Sequence, residues 1–80
     1  MTEEQVFDQL NQVFRDIFDD PSIYLTRETT ADDIEEWDSL NQIKIILACE
    51  ERFGRPLNAR KINNFDNVGE MVDYLVDETA

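Results

Sequence analysis

The residues of this chain that could do chemistry are few, and the most telling stand together at Trp37-Asp38-Ser39-Leu40. Ser39 offers a hydroxyl beside a carboxylate. A nucleophilic serine needs a base within hydrogen-bond reach, and the chain has no histidine to supply one. A Ser-Asp pair alone is not a hydrolase. Ser39 with Gln42 three residues later fits a capping box, so a structural role at a helix start is the plain local reading. A serine at a helix start has another use, as the attachment point for a phosphate-linked group added by a different enzyme. Free N–H groups and the positive end of the helix dipole favour a phosphate there by about 0.3–1 kcal/mol at an exposed site.

The remaining candidates have plainer readings. The single cysteine, Cys49, excludes an internal disulfide and a Cys-based zinc site, and its place on an apolar helix side reads as core. Asp32, Asp33, Glu35, Glu36 and Asp38 are dense enough to attract divalent cations. They lack the alternating ligands and central glycine of an EF-hand loop, so no metal site is assigned. Trp37 reads as an anchor for the loop it ends.

These residues must be positioned by a chain of only 80 residues with 41% hydrophobic content, which is one domain, 1–80, with one core. Acids outnumber bases 19 to 7, a net charge of −12, and this argues against nucleic acid or an anionic membrane as partner. Residues 1–38 carry 12 acids and 2 bases, whereas residues 39–80 carry 7 acids and 5 bases. Those bases, Lys44, Arg52, Arg55, Arg60 and Lys61, fall in one stretch that either balances nearby acids or steers partners. No apolar run approaches the roughly 20 residues of a membrane span. The start, Met1-Thr2-Glu3-Glu4, is acidic where a secretory signal would be basic, so a soluble, cytoplasmic monomer is expected.

Periodicity supplies the elements. Thr2-Glu3-Glu4-Gln5 reads as a capping box, followed by Val6, Phe7, Leu10, Val13, Phe14, Ile17 and Phe18 on one face and a stop at Asp19-Asp20-Pro21. A second helix runs from Ser39 to Phe53-Gly54, with Gly54 suited to a left-handed cap and Pro56 preventing resumption. Its apolar residues cover more than half the girth, which predicts a central helix with neighbours on several sides. A third periodic segment spans Asp66 to Asp77, with Asn67 and Glu70 at its capped start. A short helical turn fits between Leu57 and Asn64. Residues 19–38 have no period and predict a long pinned loop with one helical turn near Ala31–Ile34, anchored by Ile23, Leu25, Ile34 and Trp37. The fold class is all-α: a small four-helix bundle of three main helices and one short one.

Asp38-Ser39-Leu40, the helix that follows with its Glu50-Glu51-Arg52-Phe53 end, and Asp73-Tyr74-Leu75 at matching distance resemble an acyl carrier protein. The resemblance extends to the length, the acidity and the long first loop. It implies that Ser39, flanked by Asp38 and Leu40, carries covalent 4′-phosphopantetheine, whose thiol holds an acyl group as a thioester. It also implies a carrier, not an enzyme. The partners would be a phosphopantetheinyl transferase, an acyl-loading enzyme and acyl-transferring or condensing enzymes. Helix faces and the resemblance together make Ile45, Leu47, Cys49, Ile62 and Phe65 candidates to line an acyl cleft, and Asn41, Lys44, Arg60 and Lys61 candidates for partner contact.

This chain departs from the pattern in ways that bear on its role. Fatty-acid-synthesis members are strongly acidic along the helix after the serine and have a small residue where Trp37 stands. Here that helix face offers Asn41, Gln42 and Lys44, which points to a specialised, stand-alone member. Glu36-Trp37-Asp38-Ser39 lacks the Gly-Gly approach usual in peptidyl carriers, while a D-alanyl or other aminoacyl carrier remains open. The alternative from a different class is an acidic helical interaction module without a prosthetic group.

Overall fold

The computed structural model describes residues 1–80, and every regular element in it is helical. Helix α1 spans Glu3–Ile17, α2 Ser39–Phe53, α3 Ala59–Asn63 and α4 Val68–Glu78, with a 3-10 turn at Ala31–Asp33 within the loop between α1 and α2. This is the expected bundle of three main helices and one short one. No helix is long and apolar enough to cross a membrane.

Each helix begins where the side chains can satisfy its free N–H groups. Thr2 Oγ1 accepts from Gln5 N–H at 3.2 Å, and Gln5 Oε1 accepts from Thr2 N–H at 2.9 Å, so the capping box forms. Asn58 caps α3 and Asn67 caps α4, each accepting at 3.0 Å from the N–H three residues on. Helix α2 ends at Gly54, whose φ of 67° is the left-handed geometry that glycine adopts without Cβ strain. Helix α1 ends differently. Asp19 takes the left-handed turn at φ 50°, and Asp20 N–H closes it by donating to Arg15 O at 3.1 Å.

The apolar stripes meet in one cluster. Val6, Leu10, Val13 and Phe14 of α1 face Ile45, Ile46 and Cys49 of α2, with Val68, Met71, Val72 and Leu75 of α4 and Ile62 of α3 completing the core. Fully burying a side chain such as Leu10 or Ile45 contributes about 1.5–3 kcal/mol relative to leaving it in water.

The long loop is pinned by side chains that grip its backbone. Asn11 Oδ1, the one buried polar side chain, accepts from Leu25 N–H at 2.7 Å, and Arg15 Nε donates to Ile23 O at 2.7 Å. Farther on, Val68 and Gly69 at the start of α4 donate to Thr29 O and Arg27 O at 2.8 and 2.9 Å. Arg27 itself bridges Glu3 of α1 and Asp73 of α4. Leu25 is buried, and Ile23, Ile34 and Trp37 pack against the core, as their apolar character predicts. The loop therefore arrives at Ser39 from a fixed direction.

Candidate functional site

Ser39 is the first residue of α2 and not its cap. The cap is Asp38, whose Oδ1 accepts from Asn41 N–H at 2.8 Å. The expected Ser39–Gln42 capping box does not form, because Gln42 Oε1 accepts from Trp37 Nε1 at 2.6 Å instead. Aspartate and serine cap about equally well, and with Asp38 in that role the hydroxyl of Ser39 is exposed and makes no hydrogen bond within the chain. The N–H groups of Ser39 and Leu40 lie in the first turn ahead of the bond that Gln42 N–H makes to Asp38 O. An exposed, unengaged hydroxyl at the positive end of a 15-residue helix suits a phosphate-linked group.

Beside Ser39 opens a cleft of about 490 Å³. Trp37, Asp38, Ser39, Gln42 and Ile43 form one side, Ile62, Asn63 and Phe65 another, and Asn67, Val68 and Met71 of the α4 start the third. Thr30 and Ala31 close the end nearest the 3-10 turn. Short α3 is set in place by Leu57 N–H donating to Glu50 Oε2 at 2.8 Å and Asn58 N–H donating to the Tyr74 hydroxyl at 2.9 Å. The ring of Tyr74 packs on Phe65, 5.8 Å between centroids.

Helix α2 is not surrounded. Leu40, Ile43 and Leu47 are 62%, 56% and 59% exposed and form a ridge at i, i+3, i+7 that starts next to Ser39. The wide apolar girth thus divides into a packed half and a bare half. Lys44 lies along the bare half, exposed and without an ion pair. The other bases of this half of the chain separate in space. Arg52 reaches across to Gln9, Gln12 and Asp16 of α1, and Arg55 pairs with Glu78 of α4. Arg60 and Lys61 are exposed on α3, with Lys61 Nζ lying 5.2 Å from the centre of the Tyr74 ring.

The structure sorts the candidate residues. Of the five acyl-cleft candidates, only Ile62 and Phe65 line the cleft. Ile45 and Cys49 are fully buried on the α1 side of α2, and Leu47 faces solvent, so these three do not belong to it. Of the partner-contact candidates, Lys44, Arg60 and Lys61 are exposed. Asn41 is half-buried and its Nδ2 donates to Glu36 O at 2.8 Å, which ties down the loop end. Burial pushes the Cys49 thiol up to about 12, with only partial relief from the Arg52 charge. Gln42, Ile43, Asn63 and Met71 were not among the candidates and line the cleft. Their common signal is position: each lies within a turn of a helix end that converges on Ser39.

The geometry agrees with what comparison shows. The chain belongs to the acyl carrier protein family: the family model described as a phosphopantetheine attachment site matches residues 8–75. It is similar to the acyl carrier protein of Acidothermus cellulolyticus, 25% identical over all of this chain and 95% of that one. The acyl carrier protein of Clostridium perfringens is 28% identical over 92% of this chain and 97% of its own. In three dimensions it is similar to the holo acyl carrier protein from Geobacter metallireducens. That match has a TM-score of 0.81 and 38% identity, over 90% of this chain and 83% of that one. The protein is therefore a carrier, not an enzyme, and bears 4′-phosphopantetheine covalently.

Proposed function

We propose that Ser39 is the residue that carries 4′-phosphopantetheine, and that the loaded carrier serves a specialised biosynthetic pathway and not primary fatty-acid synthesis. One observation carries the assignment: the Ser39 hydroxyl is exposed, unengaged, and set at the first turn of α2 at the edge of a cleft. The arm supplies a terminal thiol that holds the acyl group as a thioester. The chain's own residues do the rest. Asp38 caps the helix so that Ser39 need not, and the pinned loop holds the attachment point at the surface. The tether raises the effective concentration of cargo at each partner's active site.

The partners on this reading are a phosphopantetheinyl transferase, an acyl-loading enzyme, and acyl-transferring or condensing enzymes, met in the cytoplasm by a monomeric carrier. The surface they would meet is the Leu40, Ile43 and Leu47 ridge with Lys44 beside it, since the ridge begins next to Ser39. Free bases at Lys44 and Arg60, where an all-acidic carrier has none, support a dedicated set of enzymes.

Coexpression with a broad phosphopantetheinyl transferase, followed by intact-mass measurement, tests the assignment. A mass gain of one phosphopantetheine that disappears in Ser39→Ala is expected. A gain that persists in the variant would overturn the choice of residue. Because Asp38 is the cap, Ser39→Ala is also expected to leave the melting temperature nearly unchanged.

A further inference from the structure

The cleft beside Ser39 has an apolar floor that belongs to the core. Ile62, Val68 and Met71 line it, yet each is only 1–4% exposed. Ile43 and Phe65 stand higher on its walls, the first exposed and the second half-buried. A floor so little exposed offers a guest almost no contact while the walls keep this spacing. An apolar group gains that surface only as the walls part, so the tie between the walls decides what the floor admits.

One side-chain hydrogen bond makes that tie. Gln42 Nε2 of α2 donates to Asn63 Oδ1 of α3 at 3.3 Å, and no other side-chain hydrogen bond joins two walls of the cleft. Trp37 sets its direction. An indole N–H can only donate, and by donating to Gln42 Oε1 at 2.6 Å it turns the amide nitrogen of Gln42 toward Asn63. The remaining ties of α3 lie away from this point. Leu57 N–H holds its approach to Glu50 of α2, and Asn58 N–H holds its start to Tyr74 of α4, whose ring also packs on Phe65. The last residue of α3 is thus tied to α2 by one neutral bond, longer than the usual N–H···O range, at an exposed asparagine. Such a bond contributes little net stability, because water replaces both partners when it opens.

We infer that the Gln42–Asn63 hydrogen bond is the gate of the cleft: an apolar acyl group on the Ser39 arm reaches Ile62, Val68 and Met71 by parting it, and Asn63 sets how readily the carrier conceals its cargo. The inference rests on the carrier reading of Ser39. Entry buries acyl methylenes on the floor, a gain that grows with chain length. Parting the bond costs the same for every cargo. A two-carbon group therefore stays outside, and a longer chain opens the gate. Met71, unbranched and flexible, is the floor residue suited to move for the guest. Weakening the bond shifts the balance toward concealed cargo, and strengthening it shifts the balance toward exposed cargo.

The test uses the full chain loaded at Ser39 from acetyl or octanoyl coenzyme A by a promiscuous phosphopantetheinyl transferase, with loading checked by intact mass. Three proteins are compared: the parent, Asn63→Ala, which removes the acceptor, and Asn63→Asp, which makes it a stronger, charged one. Asn63 is exposed, so neither change threatens the core. The readouts are the rate at which hydroxylamine cleaves the thioester and the NMR shift of the Met71 methyl group. The octanoyl-to-acetyl rate ratio within one protein cancels any general effect on the arm. In the parent, octanoyl is expected to be cleaved more slowly than acetyl and to shift the Met71 methyl. In Asn63→Ala the protection of octanoyl is expected to rise by roughly fivefold, the size of one neutral hydrogen bond. In Asn63→Asp it is expected to fall toward the acetyl rate.

Equal ratios in the three proteins would overturn the gate, and so would a ratio that moves the same way in both variants. Protection that falls in Asn63→Ala would make the pair a strap over the cargo and overturn it too. A Met71 methyl unmoved by octanoyl in the parent and in Asn63→Ala would overturn the floor as the cargo's seat. Absence of any mass gain would instead overturn the carrier reading itself, and the gate with it, a result that no cleavage rate imitates.

Discussion

Gly69 and Arg27 are in direct backbone contact: Gly69 N–H donates to Arg27 O at 2.9 Å, and a Cβ built on Gly69 would stand 2.9 Å from that same oxygen. Glycine inside a helix ordinarily weakens it by about 1 kcal/mol relative to alanine. Here the missing side chain lets the long loop lie against the start of α4. Gly69→Ala is therefore expected to destabilise the protein by about 1–3 kcal/mol, as overpacking does, despite its better helix propensity. Urea unfolding checks the sign; a variant more stable than the parent would show that the loop yields easily.

The same loop residue supplies a pH-dependent tie. The Arg27 guanidinium, hydrogen-bonded to both oxygens of Asp73 at 3.1 and 2.8 Å, holds that carboxyl below its ordinary value of 3.8. A lowered folded pKa means that the unfolded chain binds more protons between the two values. The contribution is thus present above 3.8 and is lost as pH falls through the lowered value. Both partners are largely solvated, so the effect is small. Asp73→Asn is expected to melt slightly below the parent at pH 7, with the gap closing in acid. A gap that widened in acid would contradict the assignment.

Two thiols of unlike reactivity are expected in the modified protein. The thiol of buried Cys49, pushed up to about 12, is protonated at pH 8 and shielded. Iodoacetamide is expected to label the prosthetic thiol at once and Cys49 only as the fold opens in urea. Ser39→Ala should retain the slow site alone. Prompt labelling of Cys49 in the native apo chain would place it at the surface.

Partner choice is expected to follow charge on the bare side of α2 and on α3. Lys44→Glu with Arg60→Glu is the cleaner pair, since Lys61 also covers the Tyr74 ring. The dedicated partner should lose turnover by roughly an order of magnitude at low salt, and an enzyme adapted to all-acidic carriers should gain. Equal rates with both enzymes would make these bases passive.

Much of this was legible in the sequence because helix periods and caps are local. The α1 stripe, the Gly54 stop and the Asn67 start all lie where the pattern puts them. The girth of α2 misled for a physical reason: an exposed apolar ridge has the same residue types as one facing a core, so Leu47 reads as interior until its 59% exposure is known. The cap was ambiguous by one residue because Asp38 and Ser39 are both good caps. The loop anchors were illegible for another reason. Asn11 and Arg15 bind the backbone of Leu25 and Ile23, and backbone atoms leave no mark in residue identity.

The cap at Asp38 also separates two properties that a one-residue shift would have joined. Had Ser39 Oγ accepted the Asn41 N–H, esterifying that oxygen would have disturbed the helix start, and each load state would have carried its own folding equilibrium. With Asp38 Oδ1 in that place, the capping hydrogen bond of α2 does not involve the Ser39 oxygen. A phosphodiester on Ser39 would then act on stability only through the free N–H groups and the helix dipole, so the primed carrier is expected to resist unfolding-dependent proteolysis slightly better than the idle one.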